Sequence, residues 1–220
     1  MMIQLRSLIS ATLLGMSMAA GSADAALILD SSSLGRYNSS IGLSLDTSGT
    51  SDPFPCANIA CGDTTVSFPT APDLSAAAGV LGDWLTNPAS PGGAWTSEQA
   101  IPSTWAINTE TAIIYEIGAG AGLTNLILSL GVDNGIFVWL DGNYLFGTRR
   151  AGGSSSGEYV LDLPDLTGTH FLQIMREDHG GATGYAIQLT ADAVSVPEPG
   201  SLALLGLGLA GVAALRRRKQ

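Results

Sequence analysis

The chain has 220 residues, room for one domain of ordinary size with appendages, and a formal net charge of −10. That charge is unevenly placed: between Ala26 and Val196 seventeen acidic residues face four arginines and no lysine, a net −13, while the apolar excess collects at the two ends. A body this acidic repels phosphate backbones, which excludes nucleic-acid binding and suits a domain that faces water outside the cell.

Residues 1–25 read as a secretory signal peptide. Arg6 supplies positive charge, 8–20 is an uncharged apolar run, and Ala23 and Ala25 place small residues at −3 and −1 of a cleavage between Ala25 and Ala26. The run falls short of the roughly 20 residues that a retained membrane anchor needs. Export of this kind calls on the Sec machinery and a signal peptidase.

The body, 26–195, divides by regularity. Its first part, 26–105, is irregular: short strands are expected at 27–29, 41–45 and 66–68, and a helix at 74–85 with Asp73 as N-cap, weakened by Gly79 and Gly82. Cys56 and Cys61 enclose four residues, unlike the common redox or zinc spacings, and in an oxidising compartment they are expected to pair as a disulfide. So short a loop removes little chain entropy, so its stabilisation is modest. Residues 88–93 read as a loop. Trp84, Trp95 and Trp105 are expected to pin this part onto the rest, because large aromatics bury the most area.

The second part, 106–191, carries period-two alternation. Seven strands are expected, at 111–117, 126–130, 136–140, 143–148, 159–163, 170–177 and 185–189. Turns are expected at 118–122, 133–135, 152–157 and 180–184, and Asp141-Gly142 is a tight-hairpin signal. Many short strands at close spacing define a mainly β protein, an antiparallel β-sandwich.

Three groups of residues carry candidate chemistry. Asp133 and Asn134, with Asp141, are oxygen-rich turn residues of the kind that calcium selects, although turns use Asp and Asn for conformational reasons as well. Glu177, Asp178 and His179 follow Arg176 in the densest polar cluster, as ligand or metal contacts or as a strand-end loop. Trp139 and Tyr144 are sugar-stacking candidates, with core packing as the alternative. No zincin motif or nucleophile elbow occurs, and Gly118-Ala119-Gly120-Ala121-Gly122 lacks the Lys-Ser/Thr ending of a phosphate loop. The expectation is therefore a non-enzymatic protein without catalytic residues or an obligatory cofactor. The alternative is a secreted polysaccharide hydrolase, which needs two carboxylates facing one cleft.

The tail, 196–220, is a second address. Pro197-Glu198-Pro199 precedes an uncharged apolar stretch, 201–215, which as a helix spans about 22 Å. Arg216, Arg217 and Arg218 with Lys219 then form a basic stop that the positive-inside rule keeps in the cytoplasm. Flanking prolines hold the triplet extended.

A Pro-Glu-Pro triplet, a short apolar helix and a terminal Arg cluster, in that order, resemble the PEP-CTERM sorting signal. The resemblance implies processing by an exosortase, a membrane-embedded transpeptidase-like enzyme of Gram-negative bacteria that make exopolysaccharide. It implies a precursor anchored in the inner membrane, then delivered to the cell surface or extracellular matrix, where exopolysaccharide is a partner. The stretch 95–191 is similar to galactose-binding-like jelly rolls, on Val132-Asp133-Asn134-Gly135 and Val138-Trp139-Leu140-Asp141-Gly142-Asn143. That second resemblance implies a jelly-roll fold associated with carbohydrate in a biofilm matrix.

Overall fold

Alternating and β-branched segments form strands throughout the body. The structure, a computed structural model, describes residues 25–42, 65–150, 153–178 and 181–194, with Gly206, Gly208 and Leu209. Among these residues ten strands occur: β1 (Ala26–Asp30), β2 (Leu34–Gly42), β3 (Val66–Ser67), β4 (Gln99–Ala100), β5 (Glu110–Asp133), β6 (Gly135–Leu140), β7 (Asn143–Arg149), β8 (Tyr159–Leu163), β9 (Leu166–Glu177) and β10 (Gly184–Ala193). Every pairing is antiparallel.

One long strand organises the molecule. The first half of β5 lies between β2 and β9, with Tyr37 opposite Ile113 and Ile113 opposite Ile174. From β9 that sheet runs outward through β6 and β7 to β3. The second half of β5 lies instead between β8 and β10, with Leu128 opposite both Leu161 and Leu189, and β1 extends β10. The strand changes neighbours at Gly118–Leu123. Its register shifts twice there, and Gly120 and Gly122 take φ of +52° and +147°. A turn was the expectation for 118–122. Glycines make a bend within one continuous strand instead, because bulges and positive φ let a strand swing from one sheet into the next.

The bend folds the two halves of β5 onto one core. Ile113, Tyr115 and Ile117 from the first half share a buried cluster with Leu126, Leu128, Leu130 and Val132 from the second. The first sheet is covered on its other face too. Ala112, Ile114, Phe137, Trp139 and Met175 pack there with Ile41, Ala77, Leu81 and Trp84. Burial on both faces is why β6 reads as an unbroken apolar run.

The covering layer comes from the irregular first part. In place of one helix over 74–85 there is a 3₁₀ turn, Ser75–Ala77, leading into a single turn of helix, α1 (Ala78–Leu81). Gly82 ends it at φ +59°, where an added Cβ would collide with Pro91 O. Asp73 does accept a hydrogen bond from Ser75 N at 2.9 Å, but Leu74 occupies the cap position. Aromatic rings hold the layer down, as the tryptophan positions suggest: Trp84 stacks on Trp95 at 5.8 Å and meets Trp139 edge-on at 5.3 Å. Polar ties add to them, with Trp95 Nε1 donating to Leu81 O and Asn38 Nδ2 to Val80 O.

Several expectations fall outside the described residues: the signal peptide up to position 24, Cys56 and Cys61, His179, the sorting triplet and the basic stop. The expected strand at 41–45 is seen only as the end of β2. Of the expected membrane helix only Gly206, Gly208 and Leu209 are described, in helical conformation. No helix among the described residues is long and apolar enough to cross a membrane.

Candidate functional site

The halves of β5 begin and end at the same place, so the polar residues of several strands gather at one end of the body. Glu110 opens β5 opposite Glu177, the last residue of β9, and Gly135 opens β6 opposite both Glu177 and Arg149. Asn134 N donates to Glu177 O at 3.0 Å, tying the β5–β6 link to β9. Asn134 Nδ2 donates to Asp133 Oδ1 at 2.7 Å, and Asp178 Oδ2 accepts from Asn108 N at 2.7 Å. Four of the residues singled out from the sequence, Asp133, Asn134, Glu177 and Asp178, are thus brought together.

Their exposure differs from the expectation. Glu177 and Asp178 have 0% relative exposure and Asn134 is buried, while Asp133 is half-buried. As surface ligand contacts Glu177 and Asp178 are corrected: their carboxylates lie inside the strand ends. Short residues close over the rim beside Asp133, since an added Cβ at Gly184 would meet Ser154 Oγ and lie 3.8 Å from the Asp133 Cβ. Glu158 Oε2 braces the same rim by accepting from Val132 N at 3.1 Å.

Asp141 is elsewhere. It sits in the β6–β7 hairpin, at the opposite end of β6 from Asp133 and Asn134, and six strand residues span about 20 Å. The three therefore do not form one calcium site. Among the described residues no group of three or more His, Cys, Asp or Glu is placed to hold a metal ion. Asp141 is engaged instead with β9: Oδ1 accepts from Phe171 N at 2.8 Å, and Oδ2 lies 2.6 Å from His170 Nδ1. The other ring nitrogen, Nε2, lies 2.9 Å from Thr167 O. Both neighbours are acceptors, so only the doubly protonated ring satisfies both. The Asp141 hydrogen bond accordingly raises the His170 pKa above its ordinary value, against a small opposing effect of burial.

Of the two readings of Trp139, sugar stacking and core packing, its position is that of core packing. Its indole is 2% exposed, fixed between Trp84 and Tyr144. Tyr144 is half-buried and donates its hydroxyl to Phe68 O at 2.6 Å, and desolvation pushes its pKa up to about 12. Both belong to the aromatic seam under the covering layer. A hollow of about 300 Å³ lies on that layer, lined by Leu74, Leu81, Trp84 and Leu85, away from the polar end.

Sequence reasoning missed the charged interior of that end. Arg176 is wholly buried, with Nε donating to Thr111 Oγ1 and an Nη to Pro102 O, both at 2.7 Å. Its guanidinium faces the rings of Trp105 at 4.2 Å and Tyr185 at 4.9 Å. Burial draws its pKa down to about 10, which still leaves it charged at neutral pH. Glu110 and Arg149 are buried nearby. A buried charge at a strand terminus has no period and no motif; only the alternation of β9, which turns Arg176 inward with Leu172 and Ile174, signals it.

The chain is thus an antiparallel β body with one polar, partly open end. Residues 195–219, directly after β10, match the PEP-CTERM protein-sorting motif. The motif implies exosortase-type sorting of an exported, membrane-anchored precursor in a Gram-negative bacterium. No curated protein matches the chain. Among solved structures it is similar to a PA14 sugar-binding domain from an RTX adhesin, with 15% identity, 59% of this chain and 68% of that one covered and a TM-score of 0.29. It is also similar to the PA14 domain of the MpAFP antifreeze protein, with 12% identity, 82% and 90% covered and a TM-score of 0.31. A GH31 α-xylosidase from Xanthomonas citri shares 15% identity over 43% of this chain and 12% of the enzyme, with a TM-score of 0.25. Likenesses this distant carry no argument about ligand or activity.

Proposed function

We propose that this protein is a non-enzymatic component of the cell surface or extracellular matrix whose body binds glycan, with the producing cell's own exopolysaccharide as the ligand. The observation that carries the reading is the sorting motif at 195–219, which attaches an acidic β body to a route that ends outside the cell. The polar end supports it. There a half-buried carboxylate, Asp133, stands at a rim with Ser154 and Ser155, carboxylate and hydroxyl groups of the kind to which sugar hydroxyls hydrogen-bond. Calcium is the bridging ion of this reading at Asp133, since carboxylate oxygens suit a hard cation.

A glycan array probed with the body, 26–196, with and without millimolar calcium, tests this. The expected outcome is binding that Asp133→Ala weakens by about tenfold or more, a loss of at least about 1.4 kcal/mol. Silence across an array that includes the native exopolysaccharide overturns the reading and leaves a passive structural role. A melting temperature unmoved by calcium and by chelator removes the ion.

A further inference from the structure

The body stops where the sorting motif starts. β10 ends at Ala193, Val194 N donates to Gly122 O at 3.0 Å, and the motif begins at residue 195. Pro197 is three residues beyond Val194 and Pro199 five, so even with the chain fully extended the triplet begins within about 11 Å and ends within about 18 Å of the last pinned residue. Val194 itself rests on the bend of β5, where an added Cβ at Gly122 would come within 2.9 Å of its Cγ2. The bend is closed by the start of β9 and the end of β10: Gly118 is opposite Thr169, Gly120 opposite Gly168 and Leu123 opposite both Leu166 and Ala193. The start of the body arrives at the same edge, because Ala26 is paired with Ala191.

We propose that this corner, formed by 118–122 and 167–169, is the face against which the membrane-embedded sorting enzyme seats when it engages Pro197-Glu198-Pro199. The inference rests on the sorting reading above and adds to it a folded contact beside the linear motif. The argument is one of reach. A specific protein contact covers about 800 Å² on each partner, a patch roughly 30 Å across. An enzyme gripping a triplet that begins within about 11 Å of the corner covers the corner as well. A long stalk would keep the body clear; three residues do not. The alternative, peeling the end of β10 away, gives up the Val194–Gly122 bond and the Ala193–Leu123 pairing. The exposed side chains at the corner are small, with Ala121, Thr167 and Thr169 beside Gly118, Gly120 and Gly168, so the enzyme can approach the backbone closely.

The test follows conversion of the full-length chain to its processed form by pulse-chase and mass spectrometry in cells that process the wild type. Thr167→Trp and Thr169→Trp are expected to slow conversion about tenfold, equivalent to about 1.4 kcal/mol in the barrier. Ser103→Trp, exposed beside Pro102 at the opposite, polar end, leaves it unchanged. A flexible Gly-Ser segment of about ten residues inserted after Val194, adding roughly 17 Å of mean reach, restores the rate in both corner variants. Thr167→Lys replaces either tryptophan variant that melts below the wild type. Corner variants processed at the wild-type rate overturn the proposal, as does an insertion that fails to restore a variant that melts normally. A wild-type protein that keeps residues 201–220 in its mature form refutes the sorting reading instead, so the two failures are distinguishable.

Discussion

The two sheets differ in what covers their outer faces. The first sheet is buried on both sides, its outer face lying under Trp84, Leu81 and Ala77. The second has one buried face; Ile127 and Val160 stand 41% and 60% exposed on the other. β5 runs through both environments and records each. From Glu110 to Tyr115 every residue is buried, whereas from Leu126 to Leu130 burial alternates. The same backbone thus follows two sequence rules, set by what lies above it and not by the strand itself.

Three measurements sharpen that contrast. Trp84→Ala strikes the covered face, where it removes a buried ring from between Trp95 and Trp139. It is expected to cost about 3–5 kcal/mol in denaturant unfolding, and a loss under about 1 kcal/mol would mean that the layer contributes little. The Asp141–His170 pair sits at the margin of that layer, where the adjoining Gly142 lies against Leu85 O. Because the folded pKa of His170 is raised, its stabilisation is complete below the unfolded value near 6.5 and is lost as pH rises through the folded value. A partly exposed pair of this kind contributes about 0.5 kcal/mol. Melting temperature followed from about pH 5 to pH 9 should fall slightly across that window, and Asp141→Asn should flatten the fall. Ile127→Ser, on the open face, should change stability by less than about 0.5 kcal/mol; a larger loss in unfolding experiments would show that something covers that face too.

Legibility in the sequence followed the same division. The hairpin at Asp141-Gly142 was readable because its φ values of +50° and +75° are those that Asp and Gly tolerate. The strands of the half-open sheet were readable from alternation. The bend at 118–122 was not, because glycines mark a turn and an intra-strand bulge alike, and the choice between them depends on pairing with β9. The covering layer announced itself through its tryptophans while its local structure stayed obscure, since tertiary contacts and not helical period fix it. At the polar end the acids of 177–178 and 133–134 could be named but not their burial. Trp139 could not be assigned to core or surface, because a central strand offers both faces and only the unseen neighbour Trp84 decides.

The position of β10 has a mechanical consequence. It lies between β1 and β5, not at an edge, and it is the strand from which the chain leaves toward the tail. Hydrogen bonds in an antiparallel ladder run perpendicular to the strands. A pull on the tail, resisted by whatever grips the far end, therefore loads both ladders of β10 in shear, many bonds at once. Tension on the tethered protein meets a clamp where an edge strand would have offered a zip.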